Sequence, residues 1–338
     1  MLLREQLEKN ELENLSEFAS KAVNSRGRVN AEDADQYRTC FQRDRDRIIH
    51  SKALRRLMHK TQVFIAPEGD HFRTRLTHTL EVTQVARTIA RSLGLNEDLT
   101  EAIGMGHDLG HTPFGHMGEA VLNNIHPGGF RHNVQSLRVV DVLEKDYKGR
   151  TLNLTAEVRD GIRNHSGSDM PFTLEGQIVK LSDRIAYINH DLDDAIRSGI
   201  ISKEDIPTEF TNHPGFSVGN RINYFVEDII RNSDGKNKIE QSQEAADIMN
   251  SLRNWLFKNV YQNPAVRSPS EIEKVRVLVT ALYNYFLENP DKLDEDEKLL
   301  IPTDGLNEVV KDHIAGMTDR YAISLYQDLF VPSGWSIL

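Results

Sequence analysis

Apolar side chains recur along this chain every three or four residues, the spacing that places them on one face of an α-helix. Between Thr74 and Leu93 they fall at Leu76, Leu80, Val82, Val85, Ala86, Ile89, Ala90 and Leu93, and the run stops at Gly94. This pattern predicts a helix that carries His78. From Leu174 to Ile196 the stripe is Ile178, Leu181, Ile185, Ile188, Leu192 and Ala195, with Gly199 just beyond, which predicts a second helix carrying Asp183. The same reading predicts helices over 31–57, 97–107, 117–125, 132–145, 155–164, 218–233, 239–260, 269–288 and 305–329. No sustained alternation argues for a sheet. Two short β-prone pieces, Val63–Ile65 and Leu152–Leu154, are expected to pair as one small hairpin.

The expected fold class is therefore all-α. Pro207–Pro214 and the acidic stretch 289–298 read as connections. They divide the chain into an N-terminal helical segment (1–34), a helical core (35–204) and a helical C-terminal extension packed on that core (205–338).

Composition narrows the class further. With 338 residues, 38% hydrophobic and 27% charged, the chain reads as an ordinary globular protein. No segment approaches the roughly 18 apolar residues of a membrane span, so the expectation is a cytoplasmic protein with no membrane partner. The single Cys40 forbids an internal disulfide framework and reads as a buried, inert thiol. A net charge of −10 argues against broad nucleic-acid binding, while leaving room for a local basic pocket that takes phosphates. The mixed run Arg43, Asp44, Arg45, Asp46, Arg47 attracts phosphate poorly and reads as a structural or subunit-contact network.

Candidate chemistry concentrates in residues 104–119, where Gly and Pro interrupt a helical pattern and gather His107, Asp108, His111 and His116. Imidazole nitrogens and carboxylate oxygens without thiolates suit a borderline or hard divalent cation: Mn²⁺, Mg²⁺, Fe²⁺ or Zn²⁺. His78 and Asp183, on two other predicted helices, complete a possible set of two imidazoles and two carboxylates. Spacing alone is weak evidence, because a lone His or Asp on a helix is more often a core, capping or surface residue.

The surrounding motifs reverse those odds. Phe41-Gln-Arg-Asp-Arg-Asp-Arg-Ile-Ile-His-Ser-Lys-Ala-Leu-Arg-Arg-Leu57, Lys60-Thr-Gln-Val-Phe64, Arg73-Thr-Arg-Leu-Thr-His78, the His107–Glu119 segment and Asp183-Arg-Ile-Ala-Tyr-Ile-Asn-His-Asp191 stand in the order found in the HD-domain phosphohydrolases. More closely, the chain resembles the deoxyguanosinetriphosphate triphosphohydrolase-like enzymes, over roughly residues 35–200. Met317-Thr-Asp-Arg-Tyr-Ala322 is similar to bacterial members as well.

That resemblance implies an HD-domain core and one divalent ion per subunit, Mn²⁺ or Mg²⁺ favoured, held by His78, His107, Asp108 and Asp183. It implies attack of water on the α-phosphorus of a deoxynucleoside triphosphate, dGTP or several dNTPs, releasing deoxynucleoside and triphosphate, with the metal as Lewis acid. His116 and Glu119 match the catalytic His and its carboxylate partner. Arg75, His111, His132 and Arg184 match triphosphate-facing positions. Gln62, Tyr187 and Asp191 match the positions that read the deoxyribose. Related enzymes form homo-oligomers, dimers or hexamers, and some take an activating dNTP. Two other readings stay open. An HD phosphohydrolase for another nucleotide phosphoester is disfavoured by the sugar-reading set. A non-catalytic nucleotide-sensing or single-strand-binding regulator is disfavoured by the intact metal and catalytic residues.

Overall fold

The computed structural model describes residues 3–62, 73–146, 148–213, 220–264 and 268–332. The protein is all-α. Among the described residues the only β pairings are isolated antiparallel bridges, Arg28 with Thr155, Thr61 with Thr74 and Lys145 with Thr151. The helices are α1 (Arg4–Asn14), α2 (Cys40–Ile49), α3 (Lys52–Arg56), α4 (Arg75–Ser92), α5 (Glu97–Gly106), α6 (Gly115–Ile125), α7 (His132–Arg138), α8 (Ala156–Asn164) and α9 (Leu174–Arg197). They continue with α10 (Thr208–Thr211), α11 (Arg221–Ser233), α12 (Gln243–Leu256), α13 (Pro269–Glu288), α14 (Glu295–Lys298), α15 (Ile301–Asp304), α16 (Leu306–Gly316) and α17 (Asp319–Phe330). No helix among the described residues is long and apolar enough to cross a membrane.

Local chemistry starts the longer elements. Side-chain oxygens of Thr74, Asn96, Thr173, Ser242, Ser268 and Thr318 accept the otherwise orphaned N–H three residues on. Their apolar stripes then merge into two cores. The larger joins α4 (Val82, Val85, Ala86, Ile89), α5 (Leu99, Ala102, Ile103) and α9 (Ile178, Ile185, Ile188, Leu192) with Phe225 of α11 and Leu252 of α12. The smaller joins Met117, Val121 and Leu122 of α6 to α13, α16 and α17 through Val279, Leu282, Val309, Val310 and Ala322.

Several predicted elements differ. The helix expected over 31–57 starts only at Cys40, because Asn153 holds the preceding segment extended: its Oδ1 accepts from Asn30 N–H (3.0 Å) and its Nδ2 donates to Asn30 O (2.8 Å). It breaks again at Ser51, whose hydroxyl caps α3. The helix expected over 132–145 passes into a wide π-type turn at Val139–Leu143. Glu144 then leaves the helix, and its carboxylate accepts the backbone N–H groups of Lys52 (3.0 Å) and Ala53 (2.7 Å). The helix expected over 239–260 begins at its Ser242 cap. The one expected over 305–329 is cut at Met317 and Thr318, both extended. Leu152–Leu154 forms no hairpin strand; Val63–Ile65, Pro214 and residues 218–219 lie outside the described residues. Among the described residues of 1–34, only α1 and a short 3₁₀ turn at Ala22–Asn24 are helical.

The charge run on α2 works inward. Buried Asp44 accepts from Thr155 N–H (2.8 Å) and hydroxyl (2.7 Å) and pairs with Arg28. Arg45 pairs with Asp98 (2.8 Å), and Arg47 donates to Leu152 O (2.7 Å). Burial, then nearby Asp44, pushes the Cys40 thiol up to about 12, so it stays protonated and a poor nucleophile.

Candidate functional site

Three helices of the larger core converge on a buried group of donors. His78 lies one turn into α4, His107 and Asp108 follow directly on the end of α5, and Asp183 sits mid-way along α9. Ligand atoms of His78, His107 and Asp108 all lie within 4.8 Å of one another. Asp183 Oδ1 is 3.1 Å from His78 Nε2 and 3.9 Å from His107 Nε2, and Asp108 Oδ1 is 3.8 Å from His107 Nε2.

The donor chemistry fits a cation. His107 Nδ1 is 2.7 Å from Gly104 O, so that nitrogen carries the proton and Nε2 keeps a bare lone pair. That lone pair is buried without a hydrogen-bond partner and faces two carboxylate oxygens. Such an arrangement is repulsive until a positive charge enters it, and all-N/O donors suit Mn²⁺, Mg²⁺, Fe²⁺ or Zn²⁺. Outer partners are in place too: Arg75 Nη1 donates to Asp108 Oδ2 (2.8 Å), fixing which oxygen remains for a metal.

Electrostatics reinforce the ionised carboxylates. Burial alone would raise Asp108, but His111, His107 and Arg75 outweigh it and hold the group well below the usual carboxylate range. Burial likewise opposes ionisation of Asp183, yet the His78 hydrogen bond and the nearby His107 bring it down to about 2.

Beside this cluster, α6 and α7 build a second group. Glu119 Oε1 accepts from His132 N–H (2.9 Å), and its carboxylate is 3.0 Å from His132 Nδ1 and 3.3 Å from His116 Nδ1. Burial is overcome by the His116 and His132 hydrogen bonds, and Glu119 sits far below its ordinary value. His132 stacks on His111 with ring centroids 4.2 Å apart, and His111 Nε2 is 3.3 Å from Asp108 Oδ1, which links the two groups. The His116 side chain is 61% exposed, open to exchange a proton.

The loop between the groups is tightly built. A Cβ on Gly110 would lie 2.1 Å from Ser136 N, so only glycine lets α7 approach. Phe114 (φ 61°, ψ 22°) and Gly115 (φ 55°) are both left-handed. For Phe114 this costs about 1–2 kcal/mol, so the turn needs external support.

The remaining predicted residues fall into two sets. Gln62 Oε1, Arg75 Nε and Nη2, His111 Nδ1 and Asp191 Oδ1 are buried atoms with no hydrogen-bond partner among the described residues. Arg184 instead donates to Asn250 Oδ1 (2.8 Å) on α12, and Tyr187 is half-buried against the larger core. Asp191 accepts a hydrogen bond from the Tyr261 hydroxyl, and burial pushes its carboxyl up to about 7.

Sequence reasoning missed four neighbours. His165 is buried with its ring 5.0 Å from His107 and 5.3 Å from His132, and burial with those two rings lowers it to about 3. His190 lies 6.2 Å from the His78 ring, Tyr261 meets Asp191, and Lys60 donates through Nζ to His111 O. Lys60 and His190 carried a signal, since each stands inside a motif that bears the family resemblance; His165 and Tyr261 are single residues in segments no motif covers.

The HD domain family matches residues 75–188, and the phosphohydrolase-associated domain family matches residues 239–328. A deoxyguanosinetriphosphate triphosphohydrolase-like protein of Caldanaerobacter subterraneus subsp. tengcongensis is 55% identical, covering 99% of this chain and 98% of its own. One from Clostridium tetani is 44% identical over 98% of this chain and 97% of its own. The crystal structure of a hypothetical protein from Aquifex aeolicus superposes with a TM-score of 0.48 at 21% identity, over 86% of this chain and 68% of that one. With both domains matched and such identity to relatives along nearly the whole chain, the protein belongs to the HD-domain phosphohydrolase family, among the deoxyguanosinetriphosphate triphosphohydrolase-like proteins.

Proposed function

We propose that the protein hydrolyses deoxynucleoside triphosphates, dGTP or several dNTPs, to deoxynucleoside and inorganic triphosphate. The observation that carries this reading is the set of buried, unpartnered polar atoms on Gln62, Arg75, His107, His111 and Asp191. Each such atom costs about 1–3 kcal/mol when left unpaired, and together they offer donors for phosphate oxygens and acceptors for sugar hydroxyls. The relatives' names point to the same substrate class.

His78, His107, Asp108 and Asp183 would hold one divalent ion, Mn²⁺ or Mg²⁺ favoured, which supplies Lewis acidity at the phosphate and activates water. Arg75, already fixed on one side by Asp108, has Nε and Nη2 left for phosphate oxygens. His111 and His132, with Arg184 from α9, complete that binding set. Glu119 holds His116 through Nδ1, which leaves Nε2 to pass a proton to the departing 5′-oxygen as the α-phosphorus to oxygen bond breaks. Asp191, with one oxygen held by Tyr261, keeps the other for the 3′-hydroxyl, while Tyr187 and Gln62 close on the sugar edge where a 2′-hydroxyl would project.

Incubation with each dNTP and Mn²⁺ or Mg²⁺, followed by chromatography of the products, tests the reading. Deoxynucleoside plus triphosphate is expected. Monophosphate plus pyrophosphate would refute the proposed bond cleavage.

A further inference from the structure

The strained turn that leads into α6 is gripped by a carboxylate from near the end of the chain. Asp319, in the first turn of α17, is 2% exposed. Its Oδ1 accepts from the backbone N–H of Phe114 (2.9 Å), and its Oδ2 accepts from the backbone N–H (3.2 Å) and hydroxyl (2.7 Å) of Thr61. Beside it Lys60, also buried, donates through Nζ to the carbonyl oxygens of His111 and Ala315. Two buried polar side chains thus tie together residues 60–61, the loop 111–114 and residues 315–319.

We propose that Asp319 is a positioning residue, which sets the Phe114–Gly115 turn so that His116 and Glu119 face the His78, His107, Asp108 cluster. The reaction it serves rests on the function proposed above. Three observations favour this over a plain tether for α17. First, Phe114 is the N-cap of α6 and supplies no side-chain cap of its own. In a capping box the N-cap N–H is taken by a side chain three residues on, which here is Met117 and has no suitable oxygen. Asp319 does that job from another helix. Second, the grip falls on the residue with the left-handed backbone, two positions before His116, where a small backbone rotation swings the imidazole. Third, the turn lies directly on other site residues. A Cβ on Gly115 would lie 3.1 Å from Arg75 Nη2 and 3.3 Å from Gln62 O, and Thr61 pairs with Thr74 just before Arg75. Release of Asp319 therefore displaces the proton-transfer pair on α6, while the packed α4 keeps Arg75 in place.

The break between α16 and α17, marked locally by Gly316 and the Thr318 cap, serves the same end. A helix running unbroken through Met317 and Thr318 would carry Asp319 round its own axis; the extended pair and the Thr318 cap redirect the chain so that Asp319 meets the turn.

The test compares Asp319→Ala, Asp319→Asn and, as a control on the exposed face of the same helix, Arg320→Ala, each in the full chain loaded with Mn²⁺. Asp319→Ala should lower kcat by about 10- to 100-fold, with KM changed less than about threefold and bound manganese unchanged. Asp319→Asn keeps one acceptor oxygen for Phe114 N–H and should recover part of the loss, while Arg320→Ala should match the parent. Hydrogen exchange provides a readout without substrate: amides in 111–119 should exchange faster in Asp319→Ala, with α9 unchanged. If the parent cleaves no dNTP, the proposed reaction fails while the exchange result still judges the grip. Parent-like kcat, unaltered exchange over 111–119, or a fall in kcat that tracks loss of manganese and of protection throughout α4 and α9 would overturn the proposal. Should Asp319→Ala not fold, Asp319→Asn and Thr61→Val decide. Each removes part of the grip, and parent-like kcat in both would overturn it.

Discussion

The two halves of the site are secured by different physics. The metal-type donors stand on α4, α5 and α9, whose other faces supply Val82, Ile89, Leu99, Ile103, Ile185 and Ile188 to the larger core. Their geometry follows from close packing of three helices, which resists displacement at every contact. His116 and Glu119 instead ride on α6, whose opposite face, with Met117, Val121 and Leu122, belongs to the smaller core. That half is registered against the first by polar ties: Lys60 and Asp319 at the loop, Ser136 Oγ between Gly110 N and His107 O, and Gln135 and Arg138 on Asp312. Packing places the cation donors, and hydrogen bonds across a seam place the proton-transfer group.

Substitution on each side breaks the comparison most sharply. Asp183→Ala should weaken metal binding by more than about 100-fold and abolish turnover with it. His116→Ala should leave the metal bound and lower kcat by about 10²- to 10⁴-fold. Metal content by elemental analysis beside steady-state kinetics checks both, and equal metal loss in the two variants would contradict the division of roles.

A cavity in the smaller core should separate the halves next. Leu122 is fully buried, and Leu122→Ala should cost about 2–5 kcal/mol in denaturant titration. Turnover should fall at denaturant concentrations where the metal is still held. Loss of both in one step would mean that the two cores unfold as one unit.

The smallest effect concerns Asp191, on α9 of the larger core. Its carboxyl is raised to about 7, chiefly by burial. The unfolded chain releases this proton near the ordinary carboxylate value while the folded chain keeps it. Stability of the metal-free protein therefore falls as pH rises from about 4 to about 7, and stays reduced above that. Asp191→Asn removes the penalty. Its melting temperature should match the parent near pH 4 and exceed it by about 2–8 °C at pH 8, measured with chelator present. A constant difference across that range would remove Asp191 as the cause.

The long helices were legible because their stripes are long and their start signals local: Thr74 and Thr173 cap α4 and α9, and Ser268 with Pro269 opens α13. Where the patterning misled, a distant partner had intervened. Residues before Cys40 carry enough apolar positions for a helix, but Asn153, more than a hundred positions away, claims the Asn30 backbone. The expected helix through Met317 has Gly316 and the Thr318 cap at its break, so a local signal was present there, and the redirected α17 then brings Asp319 to Thr61 and Phe114.

The sequence by itself determined the helical class, the boundaries of α4, α5, α9 and α13 and the chemical character of the residues gathered at the site, since each depends on periodicity, neighbouring caps or residue type. It also singled out His78, His107, Asp108, His111, His116, Glu119 and Asp183 through motifs that cluster along the chain. Only the tertiary structure decided that His165, His190 and Tyr261 crowd the same space, that Arg184 turns to Asn250, and that Lys60 and Asp319 hold the loop. Those contacts join residues from separate helices, and a side chain's partner across such a gap is set by how the cores pack, which no local pattern encodes.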